Sequence, residues 1–280
     1  MTLFIAETYK IFRRWRTYIG FGAVGAVVIL IEVVLKVTGV NFTSDMTRSV
    51  QGDFAVFGNV LNGWFITSLI MNSLHIHIPF LITLVAGDIV SSEASSGTVR
   101  LLLIRPPSRA RIISAKYLTS LFYTAALVIF LGALSLGLGL ALFGSGDLIT
   151  RQVGQFGIVI IPESEIPVKM LLAFLAAVWS MTVIASIAFL FSTLVENSSG
   201  PIIGSMAVVI VFFVIGNLPF TFFRTIQPYL FTTYLAFWQD FLVDPVPWGE
   251  VAKSATVLGI HNVALFLVAF AVYRRKDIRS

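Results

Sequence analysis

Cysteine is absent from this 280-residue chain, and charged residues are scarce, at 12% of the sequence. Without cysteine the chain can form no disulfide, no thiol nucleophile and no cysteine-ligated metal or iron–sulfur site. Soluble domains carry about 25% charged residues, so this composition excludes a soluble enzyme. The hydrophobic share of 57% and the mean hydropathy of +0.93 instead predict a chain that lies largely in lipid.

Motifs for catalysis and nucleotide binding are also missing. The sequence contains no G-x-x-x-x-G-K-[ST] phosphate loop, no H-E-x-x-H zinc motif and no G-x-S-x-G nucleophile motif. His75 and His77 are two positions apart, so they diverge on a helix, and no third ligand accompanies them. We therefore predict a non-catalytic chain that binds no metal and no cofactor.

Long apolar segments fill most of the sequence. A membrane-crossing helix needs about 20 mostly apolar residues, and six segments qualify. We predict an all-α polytopic membrane protein, with residues 1–280 forming a single transmembrane domain. The predicted spans cover residues 18–40, 59–86, 117–143, 168–194, 201–223 and 251–273.

The basic residues are distributed unevenly between the two sides of these spans. Thirteen lie before the first span, between the second and third, or after the last, whereas five lie in or beside the opposite loops. Since basic loops stay cytoplasmic, both termini are predicted to be cytosolic, in the plasma membrane or bacterial inner membrane. The basic balance is then a matter of topology, and we predict no nucleic-acid partner.

Two further segments are predicted to lie along the membrane surface. Residues 1–17 are expected to form an amphipathic interfacial helix. Residues 224–250 are rich in aromatic side chains but too short to cross, which predicts re-entrant or interfacial helices on the outer side. In the first segment the apolar stripe consists of Phe4, Thr8, Ile11, Phe12 and Trp15, while Glu7, Lys10 and Arg14 lie elsewhere.

The long connection at residues 87–116 has internal structure. Ser91 and Ser92 are predicted to cap a short helix with an apolar surface at residues 101–104, which Pro106 and Pro107 end. Ser108 is predicted to cap the helix that leads into the third span. A short apolar helix needs a partner, either a groove on a cytosolic protein or the chain's own helix ends.

This loop resembles the permeases of type-2 ATP-binding-cassette (ABC) transporters, which share the pattern E…GT…LL…P…SR…K. The matching residues here are Glu93, Gly97-Thr98, Leu102-Leu103, Pro106, Ser108-Arg109 and Lys116. The resemblance implies that residues 92–104 form a coupling helix, which docks on two copies of an ATPase that holds ATP and Mg²⁺. It also implies a second permease half, as a homodimer or a similar paired chain. The docking residues that it implies are Glu93, Gly97, Thr98, Leu101, Leu102, Leu103, Arg105 and Arg109.

Polar residues inside the predicted spans are further candidates. A polar face in span two is predicted to line a substrate pathway, although hydrogen bonding between helices explains the same residues. The resemblance to the permeases implies that spans two and five flank the central cavity. Glu32 and Lys36 are one turn apart and are expected to pair. An ion-coupled secondary transporter using Glu32, Lys36 or His75 stays open as the alternative function. The predicted pathway residues are Ser68, Asn72, His75 and Asn217.

Overall fold

The structure is a computed structural model that describes residues 2–50, 61–95, 108–151, 158–218 and 220–275. Most of these residues are helical, which agrees with the predicted all-α class. Two short 3-10 helices, Gln227–Tyr229 and Phe237–Leu242, lie between α-helices. The α-helices are α1 Thr2–Phe12, α2 Trp15–Val50, α3 Gly63–Leu74, α4 Ile78–Ala86, α5 Asp88–Ser95, α6 Arg109–Phe143, α7 Ile166–Leu194, α8 Ser199–Asn217, α9 Thr221–Ile226, α10 Phe231–Tyr234 and α11 Trp248–Arg275.

Six helical segments in the described ranges are long and apolar enough to cross a membrane, which confirms the predicted number of spans. They identify the chain as a multi-pass membrane protein. The segments are Trp15–Thr38, Ile78–Ser95, Arg109–Phe143, Ile166–Leu194, Ser199–Gly216 and Trp248–Arg275.

The second span begins later than the sequence predicts. The predicted span starts at residue 59, but the chain forms a turn at residues 75–77 and the crossing segment begins at Ile78. Pro79 explains the restart, since proline lacks an amide hydrogen and is tolerated in the first turn of a helix. The 12 residues of α3 reach about 18 Å, too short to cross a hydrocarbon core of about 30 Å.

Helix α3 instead packs beside the end of α6. The 35 residues of α6 extend about 52 Å, so the helix exceeds the hydrocarbon thickness. At the contact, a Cβ atom on Gly63 would lie 2.5 Å from the backbone nitrogen of Leu140. Asn62 holds the start of α3, because its side chain accepts a hydrogen bond from the Phe65 amide at 3.0 Å and donates to the Asp147 carbonyl at 2.6 Å.

A short antiparallel hairpin follows α6, and the sequence analysis did not predict it. Strand β1, Leu148–Arg151, pairs with strand β2, Ile158–Ile161. The strands are rich in isoleucine, valine and threonine, which favour extended backbone. Leu148 and Ile161 face each other in the register and are both buried.

Helix α7 forms the centre of the bundle and packs against α6, α8 and α11. A buried polar network links three of these helices. The Ser186 hydroxyl is 2.8 Å from the Tyr117 hydroxyl and donates to the Asn262 side-chain oxygen at 2.6 Å. The Asn262 amide donates to the Thr182 hydroxyl at 2.8 Å. Each of these polar groups therefore finds a partner within the bundle, as lipid surroundings require.

The aromatic segment predicted at residues 224–250 divides into two parts. Helix α9 and the following residues are exposed, with Phe222 and Tyr229 at the surface. The 3-10 helix Phe237–Leu242 packs into the bundle against α7, and Trp238 is only 2% exposed. This second part therefore belongs to the hydrophobic core.

Candidate functional site at the base of the loop

Four charged side chains meet where α1, α5 and α6 converge. The Lys116 ammonium lies 2.7 Å from a Glu7 carboxylate oxygen and 2.8 Å from one of Glu93. The Lys10 ammonium contacts the same two residues, at 2.6 Å and 3.2 Å. We call Glu7, Lys10, Glu93 and Lys116 the four-charge cluster. Its charges sum to zero, and it links the N-terminal helix to the start of the loop.

The cluster is largely removed from solvent, with Lys116 1% exposed and Glu7 4% exposed. Buried charges are stable only when they are paired. Burial by itself would raise the pKa of the Glu7 carboxyl, but Lys116 and Lys10 outweigh it and hold that pKa below its ordinary value of 4.5. Burial likewise opposes the charge on Lys10, yet Glu7 and Glu93 raise the pKa of its ammonium above the ordinary value.

A second set of ion pairs fastens the turn between α1 and α2 to α5. Asp88, in the first turn of α5, lies 3.0 Å from the Arg14 guanidinium and 3.4 Å from that of Arg16. Arg14 also donates to the Ser92 hydroxyl at 2.9 Å. The positive end of the α5 dipole also stabilises a carboxylate at this position.

The described residues that flank the predicted loop lie beside these ion pairs. Helix α5 ends at Ser95 and α6 begins at Arg109, with the Ser108 side chain accepting from the Arg111 amide, which confirms the predicted cap. Of the predicted docking residues, Glu93 lies in the four-charge cluster and Arg109 donates to the Arg274 carbonyl at 3.3 Å. The others, Gly97, Thr98, Leu101, Leu102, Leu103 and Arg105, lie outside the described residues.

The contact between Arg109 and Arg274 places the end of α11 at this same end of the bundle. Helix α1 lies there too, through its contacts with Lys116 and Asp88. The loop, the N-terminal helix and the end of the last span therefore share one face, as an even number of spans requires. We call it the loop face.

The predicted capping role of Ser91 and Ser92 is wrong. Both residues lie inside α5, where their hydroxyls donate to the carbonyls of Gly87 and Asp88, at 2.9 Å and 2.5 Å. The crossing segment continues through these residues to Ser95, so no new helix begins at them. Inside a helix a serine hydroxyl can donate to the carbonyl four residues earlier, so a serine does not by itself mark the start of a helix.

Glu7, predicted to lie off the apolar stripe of residues 1–17, faces the bundle, whereas Trp15, predicted to lie on that stripe, is 72% exposed. The reason is Lys116, a buried charge on α6 that requires acidic partners. A lysine close to the predicted start of the third span was the sequence signal that such partners exist.

The structure describes the side chains of three of the four predicted pathway residues. Ser68 donates to the Phe65 carbonyl of its own helix at 2.7 Å. Asn72 accepts from the Gln239 side chain at 2.8 Å, and the His75 ring lies 6.4 Å from that of Trp238. Asn72 and His75 thus both lie against the 3-10 helix Phe237–Leu242, which we call the aromatic 3-10 helix. Asn217 ends α8, and its side chain lies outside the described residues.

The expected pair between Glu32 and Lys36 does not form. The Lys36 ammonium donates to the Leu142 carbonyl and lies 5.3 Å from the centroid of the Phe143 ring. The last carbonyls of α6 are unsatisfied within the helix and attract a cation. Glu32 is fully buried, and neither of its carboxylate oxygens has a hydrogen-bond partner among the described residues.

The fold defines this chain as a polytopic helical membrane protein. Its loop face is charged, and both α1 and the end of α11 lie there. The chain belongs to the family described as protein of unknown function DUF2705, whose family model matches residues 26–279. It is also similar to "Uncharacterized protein YhcI" of Bacillus subtilis (strain 168), with 28% identity over 206 residues. That match covers 70% of this chain and 63% of the Bacillus protein, so it spans less than two thirds of that relative's length.

The lowered pKa of Glu7 predicts a loss of stability in acid. Because this pKa is lower in the folded protein, its stabilising contribution is complete above the ordinary value of 4.5 and is lost as pH falls through the folded value. We expect the melting temperature in detergent to decrease as the pH is lowered below 4.5. In Glu7→Gln the melting temperature should decrease less steeply with falling pH. Glu250→Gln is the control, since Glu250 and its partner Lys253 are exposed. If the melting temperature of Glu7→Gln depended on pH as steeply as that of the wild type, Glu7 would not be the source of the acid sensitivity.

Proposed function

We propose that this chain is the permease subunit of an ATP-driven exporter of the type-2 ABC class. The observation that carries the proposal is the anchoring of the loop at both ends, by Glu93 in the four-charge cluster and by Arg109 at the end of α11. A loop held in this way passes a displacement to the helices rather than absorbing it. The resemblance of residues 93–116 to the permease pattern supports the same assignment.

The route of coupling follows the ion pairs. A push on residues 96–107 moves α5 and Glu93, and Glu93 is paired with Lys116 on α6 and with Lys10 on α1. Asp88 extends the same linkage to the turn before α2. ATP binding to the partner would favour one arrangement of these helices and hydrolysis would restore the other, as a population shift between two states.

Under this proposal the permease performs no covalent chemistry. ATP and Mg²⁺ belong to two copies of a separate ATPase, and a second permease half completes the exporter, with a homodimer as the simplest arrangement. The loop face lies in the cytosol, and the aromatic 3-10 helix beside Asn72 and His75 lies toward the outer side. That arrangement makes Asn72 and His75 candidates for contact with an exported substrate.

The proposal predicts that the apolar loop residues hold the ATPase. We expect the change of Leu102 and Leu103 to aspartate to abolish co-purification of an ATPase encoded beside this chain, because charged groups cannot enter an apolar groove. The measurement is a tagged pull-down from membranes that contain both proteins, with the ATPase quantified by immunoblot.

Leu194→Asp provides a matched control, since Leu194 is an exposed leucine that ends α7 outside the loop. It should retain the ATPase at the wild-type level. If the loop variant still bound the ATPase, the docking assignment would be wrong. Equal loss in both variants would contradict a specific role for the loop.

One observation favours the alternative of an ion-coupled transporter. Glu32 places a carboxyl group within the first span with no hydrogen-bond partner among the described residues, and such groups often mark proton or ion pathways. If Glu32 couples transport to an ion, Glu32→Gln should abolish transport by the chain reconstituted alone in vesicles with an ion gradient. The exporter proposal instead predicts no transport by the chain alone.

A further inference from the structure

One flank of α1, next to its contact with α6, is apolar and open. Ile5 is 58% exposed and Tyr9 is 61% exposed. An open cavity of about 320 Å³ runs along this side, lined by Phe4, Ile5, Thr8, Tyr9 and Phe12. Because its lining is almost entirely hydrocarbon and aromatic, the cavity suits a methylene chain and not a polar solute.

Aromatic packing against α6 fixes the position of this cavity. Phe4 and Phe12 both pack edge-on against Phe122 of α6, with ring centroids 5.9 Å and 6.2 Å apart. Helix α1 is further fixed to α6 by the ion pair between Glu7 and Lys116. The apolar surface is therefore held in one place relative to the spans.

Aromatic side chains mark the membrane interface at the end of this surface. Trp15 and Tyr18 are both exposed at the turn from α1 into α2. Tryptophan and tyrosine concentrate at the level of lipid headgroups. Lipid headgroups are thus expected beside this turn, directly after the apolar cavity ends at Phe12.

Positive charge at the same turn is not fully compensated. The acidic residues nearby, Glu7, Asp88 and Glu93, are already paired with Lys10, Lys116, Arg14 and Arg16. Arg13 is exposed and stacks over the Tyr9 ring at 5.4 Å, and no carboxylate lies within ion-pair distance of it in the described part of the chain. Arg16, although paired with Asp88, is also exposed.

We propose that α1 and its turn bind an anionic phospholipid. Arg13 and Arg16 hold the headgroup phosphate, and one acyl chain lies along the cavity beside Ile5 and Tyr9. Charge selects the anionic headgroup, and the apolar lining selects a molecule that carries a long chain. This proposal does not depend on the transport function, because it concerns only the surface of α1.

Native mass spectrometry of the full-length protein tests the site with phosphatidylglycerol and phosphatidylethanolamine as probes. We expect the wild-type protein to retain phosphatidylglycerol preferentially and Arg13→Gln to retain about fivefold less, the factor for one basic residue near an anionic lipid. Arg275→Gln, which removes an exposed arginine from α11 at the same loop face, should retain it as the wild type does.

Two further measurements separate the parts of the site. Ile5→Ser should weaken retention of both lipids, because it affects the chain and not the headgroup. Soluble glycerophosphoglycerol, which lacks acyl chains, should not displace the bound lipid. Unchanged phosphatidylglycerol binding in Arg13→Gln would overturn the proposal, and so would displacement by glycerophosphoglycerol, which would indicate a site for soluble anions.

Discussion

Replacing Lys116 with methionine is expected to lower the free energy of unfolding by about 3–5 kcal/mol, the usual effect of removing one partner from a buried ion pair. The substitution removes the buried ammonium that pairs with Glu7 and Glu93 and leaves the half-exposed Lys10 beside both carboxylates. Methionine has a similar shape to lysine, so the loss arises from charge and not from a cavity. The measurement is the melting temperature of the purified protein in detergent.

The control for this variant is Lys253→Met, which removes an exposed lysine paired with the exposed Glu250 at 3.3 Å. Surface ion pairs contribute about 0–1 kcal/mol, so its melting temperature should barely change. Adding Glu7→Gln to Lys116→Met should restore part of the stability, because it removes one of the uncompensated carboxylates. Equal melting temperatures for Lys116→Met and Lys253→Met would show that the cluster is not a stabilising element.

Gly63→Val is expected to separate α3 from α6. A Cβ atom at this position would lie 2.5–2.7 Å from backbone atoms of Gly139 and Leu140. Backbone atoms held by helical hydrogen bonds, such as that from the Gly144 amide to the Leu140 carbonyl, cannot move aside as the end of a flexible side chain can. Overpacking of this kind costs about 1–3 kcal/mol and sometimes more. We expect a lower melting temperature and faster proteolysis than in the wild type.

Gly137→Val is the matched control, because a Cβ atom on Gly137 would meet nothing within 4 Å. The same chemical change should therefore leave the melting temperature and the proteolysis rate close to those of the wild type. If both variants behaved alike, the close approach of α3 and α6 would not contribute to stability.

Some features of this protein are visible in local sequence. The number of spans follows from hydropathy, because about 20 apolar residues suffice to identify a helix that lipid will accept. The cap at Ser108 follows from a serine placed before a helical segment and after two prolines. Neither feature requires knowledge of which helix packs against which.

The start of the second span was not visible in the same way. Residues 59–86 read as one apolar segment, although the chain turns at residues 75–77 and α3 packs outside the crossing segment. A window of average hydropathy does not detect a three-residue turn. The close contact between Gly63 of α3 and Gly139 of α6 stabilises the arrangement in which α3 is separate from the crossing segment. These two residues are more than 70 positions apart in the sequence.

Hydropathy and charge pattern are enough to predict a multi-pass helical membrane protein and the number of its crossing helices, since each depends on residues close together in the chain. Which charges form pairs depends on contacts between distant helices. Glu7 turns inward to Lys116, while Lys36 reaches the end of α6 and Glu32 has no hydrogen-bond partner within the described ranges. In a medium without water the nearest partner determines where a charged side chain lies, and that partner is distant in sequence.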